Sequence, residues 1–290
     1  MKNYIKQHTL ARPVTLSGTG VHSGKKTHIT IHPAQVNHGI QFKRLDLPGT
    51  QSIRALFKHV VDTSLATVLG KDGVIVSTIE HLMGCFTGLG MDNALVEMAN
   101  YELPILDGSA MEFAKVLADA GLIEQDLPRQ MITIRKKLRV EEGDKFVEIS
   151  PGPGLKISCS IEFDHPIIGY QSMEFEMGKT DFVKEVSPAR TFGFLKDIEL
   201  FKKFSLGKGG GLDTAIVIDK DRVLNEDGLR FPDEFVRHKL LDSLGDFSLL
   251  GMPIQGHITT HKSGHALNHK FIQNFLDHKD CWETGLAQNP

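Results

Sequence analysis

The sequence predicts an α+β fold of two similar units, each a layered helix/sheet sandwich, with the functional site between them. Three observations carry this reading. The chain has 290 residues, close to the size at which one hydrophobic core gives way to two. Residues 28–43, HITIHPAQVNHGIQFK, alternate β-branched and polar side chains on both sides of a segment holding Pro33 and Gly39, the pattern of a hairpin. Residues 145–163, KFVEISPGPGLKISCSIEF, repeat that arrangement of strand, Pro-Gly turn and strand.

A second echo points the same way. NALVEMA leads through Asp107-Gly108 into a helical pattern at 110–120, and TAIVIDK leads through Asp227-Gly228 into another at 234–250. Hairpins and helices that do not alternate strictly favour α+β layers over a doubly wound parallel sheet. Residues 124–131, EQDLPRQM, are polar and broken by Pro128, as a linker is. The expected organisation is therefore 1–127, 128–278 and a C-terminal tail, 279–290.

Composition narrows the function classes. Apolar residues make up 40% and charged residues 24%, which is ordinary for a globular protein. A net charge of -3, with basic residues scattered, offers no excess cation to neutralise nucleic-acid phosphates. No run approaches the roughly 20 apolar residues of a transmembrane helix, and MKNYIKQHTL lacks an apolar signal core. A cytoplasmic protein is expected. Cys85, Cys159 and Cys281 form no C-x-x-C pair and read as reduced and buried. Histidine, at 14 residues, is where metal or acid/base chemistry is to be sought.

Three clusters qualify. On a helix starting at Glu234, His238 and Asp242 lie one turn apart with Asp246 and Lys239 nearby, while Val236, Leu240, Leu244 and Phe247 fill the opposite arc. Such a pair can hold one metal ion, or can be a solvated ionic face. In STIEHLMG, Ser77 and Glu80 have capping-box spacing; Glu80 next to His81 equally matches the way zinc hydrolases hold a base beside the metal. In HKSGHALNH, His261, His265 and His269 follow at intervals of four and offer a competing zinc site, against which Gly264 counts. GKGGG at 207–211 lacks the order of a phosphate loop and reads as a loop framing a cleft.

With TGVHSGKK, STIEHL, DGSA, SPARTFGF, NEDGLRFPDEFVRHKLLDSLGD and KSGHALN in this order, the chain resembles the UDP-3-O-(3-hydroxyacyl)-N-acetylglucosamine deacetylases of lipid A synthesis, across both halves. The resemblance implies a zinc-dependent amide hydrolase with His81, His238 and Asp242 as metal ligands. It implies Glu80 as general base and His265 as general acid, with Thr191 holding the oxyanion and Asp246 orienting His265. Lys239 would contact the polar head of a UDP-linked acylated sugar. Residues 191–214 match the segment that encloses the acyl chain, with Phe192, Phe194, Ile198, Leu200 and Leu212 supplying apolar surface. A monomer is expected.

Overall fold

The computed structural model describes residues 4–198 and 207–288. Its first half runs β1 (Lys6–Leu10), β2 (Val14–Thr19), β3 (Lys26–Pro33), β4 (Ile40–Arg44), β5 (Ile53–Arg54), β6 (Val60–Asp62), β7 (Val68–Lys71), β8 (Val74–Ser77), α1 (Glu80–Leu89), β9 (Ala94–Met98), α2 (Met111–Ala120) and β10 (Leu122–Pro128). The second half begins β11 (Gln130–Ile134), β12 (Leu138–Glu142), β13 (Lys145–Ser150), β14 (Leu155–Glu162), β15 (Tyr170–Glu176) and α3 (Phe182–Glu185). It continues β16 (Phe192–Phe194), β17 (Ile216–Asp219), β18 (Arg222–Val223), α4 (Glu234–Ser248), β19 (Ile254–His261), α5 (His265–Asp277) and β20 (Trp282–Leu286). The mixture of helices and several sheets is the α+β class.

The strands of both expected hairpins exist, but neither pair is a hairpin. β9 lies between β3 and β4, antiparallel to the first and parallel to the second. In the same way β19 lies between β13 and β14. Alternation in a sequence dictates which face of a strand is buried; it does not choose the neighbour. The slot in the first sheet takes ALVEM, whose Ala94, Val96 and Met98 are buried. The resulting orders, β2-β3-β9-β4-β5 and β12-β13-β19-β14-β15, are the same.

The second echo is corrected by the same topology. The counterpart of β9 is β19, because each follows one helix (α1 or α4) and precedes another (α2 or α5). TAIVIDK supplies β17, which belongs to a separate sheet with β16 and β18. The expected linker is also a strand. β10 pairs antiparallel with β1, so its polar side chains face solvent from an edge ribbon. The expected tail contributes β20, antiparallel to β11.

The core is apolar and aromatic, with Phe86 of α1, Phe113 of α2, Phe235 and Phe247 of α4, and Phe271 and Phe275 of α5 almost wholly enclosed. α1 and α4 cross in direct contact. A Cβ at Gly245 would lie 2.1 Å from the Glu80 carbonyl oxygen, and one at Gly84 would lie 3.0 Å from that of Leu241. Two glycines therefore set the approach of the helices. Gly245→Ala is expected to push the backbone away at Glu80, costing about 1–3 kcal/mol. A lowered unfolding midpoint, with turnover lowered on the same sample, is the measurable outcome.

Cys85, Cys159 and Cys281 are free and buried, and among the described residues no helix is long and apolar enough to cross a membrane.

Candidate metal centre and active site

The polar stripe of α4 is not a solvated face. His238, Asp242 and Asp246 are buried along with the apolar arc. Charge placed there has to be compensated by partners or by an ion. α1 meets this stripe with its first two residues, Glu80 and His81, both buried. Thr78 adopts φ 61° just before the helix, and no side chain caps its N-terminus. The Ser77/Glu80 pair is thus not a capping box, and the Glu80 carboxylate accepts from the Thr67 amide at 3.1 Å instead.

Among the described residues, His81, His238 and Asp242 form a group able to hold a metal ion, with one ligand atom from each within 4.8 Å of the others. Asp242 Oδ1 lies 3.4 Å from His238 Nε2 and 3.7 Å from His81 Nε2. Both separations exceed good hydrogen-bond length, and this buried oxygen has no hydrogen-bond partner among the described residues. A buried carboxylate oxygen left bare between two imidazole nitrogens fits a cation. His238 Nδ1 is 3.0 Å from the Ala189 carbonyl, which fixes the proton there and turns the Nε2 lone pair toward Asp242. The Ala189 carbonyl is in turn anchored, because Arg190 donates through its backbone N–H and side chain to buried Glu234.

The electrostatics suit ligation. Burial, with His238 beside it, depresses His81 to about 3; burial lowers His238 as well. Both imidazoles are neutral at pH 7 and offer a lone pair without first losing a proton. Burial opposes the charge on Asp242, but the Lys239 ammonium, with protonated His265 adding to it, overrides burial and holds the carboxyl far below its ordinary range.

The second layer joins acid and base. His265, the first residue of α5, places Nδ1 2.8 Å from Asp246 Oδ2 and Nε2 4.0 Å from Glu80 Oε1. Asn268 donates to the same Asp246 oxygen at 2.8 Å, and the Thr67 hydroxyl donates to the other at 2.8 Å. Burial raises Glu80 to about 7, Asp242 adding to the rise while His265 opposes it. Burial disfavours the imidazolium of His265, yet the charge and hydrogen bond of Asp246 raise it to about 10.

A cavity of about 420 Å³ opens on this cluster. Glu80, His81, His238, Lys239, Asp242 and His265 line it with Thr191 and Phe192. Lys145 and Lys262 add positive charge to its wall, with Glu142 beside them. Lys239 Nζ donates to Asp242 Oδ2 at 3.0 Å and sits 5.8 Å from the centre of the Phe192 ring. Thr191 is held through its backbone to Gly108 and Ile216. A second, larger cavity of about 1040 Å³ runs along Met83, Phe86, Leu244 and Phe247. Among the described residues its lining brings Arg54, Asp92 and Arg129 but no group of histidines and carboxylates like that of the smaller cavity.

The sequence-derived site residues divide accordingly. Glu80, His81, His238, Lys239, Asp242, Asp246 and His265 converge, with Thr191 and Phe192 on the cavity wall. Phe194 faces Phe163 and His165, and Ile198 lies beside Gly193. Leu212 is 51% exposed and outside the cavity lining; Leu200 lies outside the described residues. The competing histidines separate: His261 on β19 pairs with Ser160 and His269 stacks on Phe57. Sequence reasoning missed Thr67, which carries no motif, and Asn268, which stands inside KSGHALN.

Comparison with known proteins agrees with this geometry. The family model described as LpxC, UDP-3-O-acyl N-acetylglycosamine deacetylase, matches residues 7–277. A UDP-3-O-acyl-N-acetylglucosamine deacetylase of Myxococcus xanthus is 50% identical over 282 residues, covering 97% of this chain and 90% of its own. Proteins of the same name from Acidithiobacillus ferrooxidans and Methylococcus capsulatus are each 47% identical over 281 residues, covering 96% of this chain and 92% of theirs. Matched over nearly its whole length, with each of these motifs present, the chain belongs to the UDP-3-O-acyl N-acetylglycosamine deacetylase family.

Proposed function

We propose that the protein hydrolyses the N-acetyl group of UDP-3-O-(3-hydroxyacyl)-N-acetylglucosamine, releasing acetate and the free amine in lipid A synthesis. The observation that carries the reading is the bare Oδ1 of Asp242 between His81 and His238, facing a cavity that also holds Glu80 and His265. Two nitrogens and one carboxylate oxygen suit Zn²⁺, and three protein ligands beside an open cavity suit a catalytic ion. When bound, the ion polarises an amide carbonyl and makes water more acidic.

The chain's own residues do the rest. Glu80 takes a proton from the attacking water, its carboxylate oriented by the Thr67 amide. Thr191, on the wall beside the ligands, donates to the developing oxyanion. His265, kept protonated and aimed by Asp246, delivers a proton to the amide nitrogen as the C–N bond breaks. Lys239 contacts the polar head of the substrate, and the ammonium groups of Lys145 and Lys262 suit its diphosphate. These site residues all come from one chain, which supports a monomer. The matching strand orders support reading 1–127 and 128–278 as duplicated units, with residues 282–286 joining the second. Mass spectrometry of the UDP-sugar before and after incubation with zinc-loaded protein should show loss of one acetyl group. No mass change would overturn the assignment.

Residues 191–214 are proposed to guide the acyl chain, with Phe192 at the cavity wall and Phe194, Ile198, Leu200 and Leu212 contributing apolar side chains along the segment. Each buried methylene is worth about 0.8 kcal/mol, close to fourfold in affinity. The value of kcat/KM should therefore fall by roughly 10² or more when a long acyl chain is replaced by none, and Leu212→Asp should reduce that dependence. Equal rates for long, short and absent chains in the wild type would rule out the passage.

A further inference from the structure

We infer that Thr67 is a positioning residue that ties the general acid and the general base to one point of the backbone. It rests on the roles proposed for Glu80 and His265. Thr67 stands in the segment between β6 and β7 and is 2% exposed. Its amide donates to Glu80 Oε2 at 3.1 Å, and its hydroxyl donates to Asp246 Oδ1 at 2.8 Å. The hydroxyl oxygen is also 3.4 Å from His265 Nδ1. That nitrogen lies 2.8 Å from Asp246 Oδ2, so its own proton is committed there and the Thr67 proton goes to Oδ1.

Asp246 is thereby held at both oxygens. Asn268 and His265 fix Oδ2, and Thr67 supplies the hydrogen bond on Oδ1. Without that bond, one oxygen of a buried carboxylate loses its donor, and rotation about the terminal carboxyl torsion, which is intrinsically soft, is opposed from Oδ2 alone. The imidazole it aims would then swing away from the nitrogen it has to protonate. A misplacement of about 1 Å costs up to about 10²-fold in rate. No other residue touches Glu80, Asp246 and His265 at once among the described hydrogen bonds.

The test is Thr67→Val, which keeps the shape and the amide contact to Glu80 but removes the hydroxyl. Turnover on the UDP-linked acylated sugar should fall roughly 10- to 100-fold, with KM and metal content close to wild type and a lowered unfolding midpoint from the unsatisfied Asp246 oxygen. Thr67→Ser should restore most of kcat. In a His265→Gln background, measured in single turnover, Thr67→Val should cost little further, because the residue acts through His265. Wild-type turnover in Thr67→Val, failure of serine to rescue, or an equal loss in both backgrounds would overturn the inference. If His265→Gln itself turned over normally, the acid assignment would fail and this inference with it. An impaired His265→Gln beside a normal Thr67→Val would sink the inference alone.

Discussion

Glu80→Gln and His265→Gln are each expected to lower kcat by roughly 10² to 10⁴, the range of a positioned base or acid, and to remove opposite limbs of the pH profile. The signs follow from the two environments. As the proposed base Glu80 acts ionised, and burial raises it to about 7, so activity should fall as pH drops through that value. As the proposed acid His265 acts protonated and is raised to about 10 against its own burial by Asp246, so activity should fall as pH climbs through that value. A dication at the neighbouring ligands favours the ionised carboxylate and the neutral imidazole, which moves both limbs of the loaded enzyme to the acidic side of these values. Glu80→Gln should erase the acidic limb and His265→Gln the basic one. An unchanged profile in both variants would remove these residues from their roles.

The second large effect is metal loss. Asp242→Ala or His81→Ala should abolish both bound zinc and turnover, while circular dichroism stays near wild type. The expectation comes from the core: the aromatic packing of α1, α2, α4 and α5 is extensive, and the ligand cluster lines a cavity. In Asp242→Ala the ammonium of Lys239 also loses its partner, so a modest drop in unfolding midpoint accompanies the loss of activity. Collapse of the circular dichroism signal on chelation of the wild-type protein would instead identify a structural ion.

Much of this site was legible before folding. The i, i+4 spacing of His238 and Asp242 puts both on one helical face whatever surrounds the helix. The adjacency of Glu80 and His81 limits where a base and a ligand can stand relative to each other. Spacing alone did not choose between these residues and His261, His265 and His269. That choice depends on α1 crossing α4, which two glycines permit and no local pattern announces. Thr67 was illegible for a related reason: its importance comes from three partners distant in sequence. Strands were legible from alternation, but their neighbours were not, and both hairpins were misjudged through the missing middle strand. Leu212 shows the limit of carrying over a segment as a whole, since it stands exposed while Phe192 lines the cavity.

That middle strand has a consequence for how the chain assembles. In the first sheet β9 is the last of the five strands to be synthesised, and in the second β19 comes after β12, β13, β14 and β15, the strands it holds together. Neither sheet can close until its centre arrives. For the second, residues 163–253 must leave the ribosome while β13 and β14 present unpaired edges to one another. Such edges are templates for pairing with other chains, and late, long-range closure is slow. Refolding from denaturant should therefore lose more protein to aggregation as concentration rises. Truncation just before residue 254 should yield a chain whose second sheet is open at its centre and which aggregates more than the full-length protein at equal concentration.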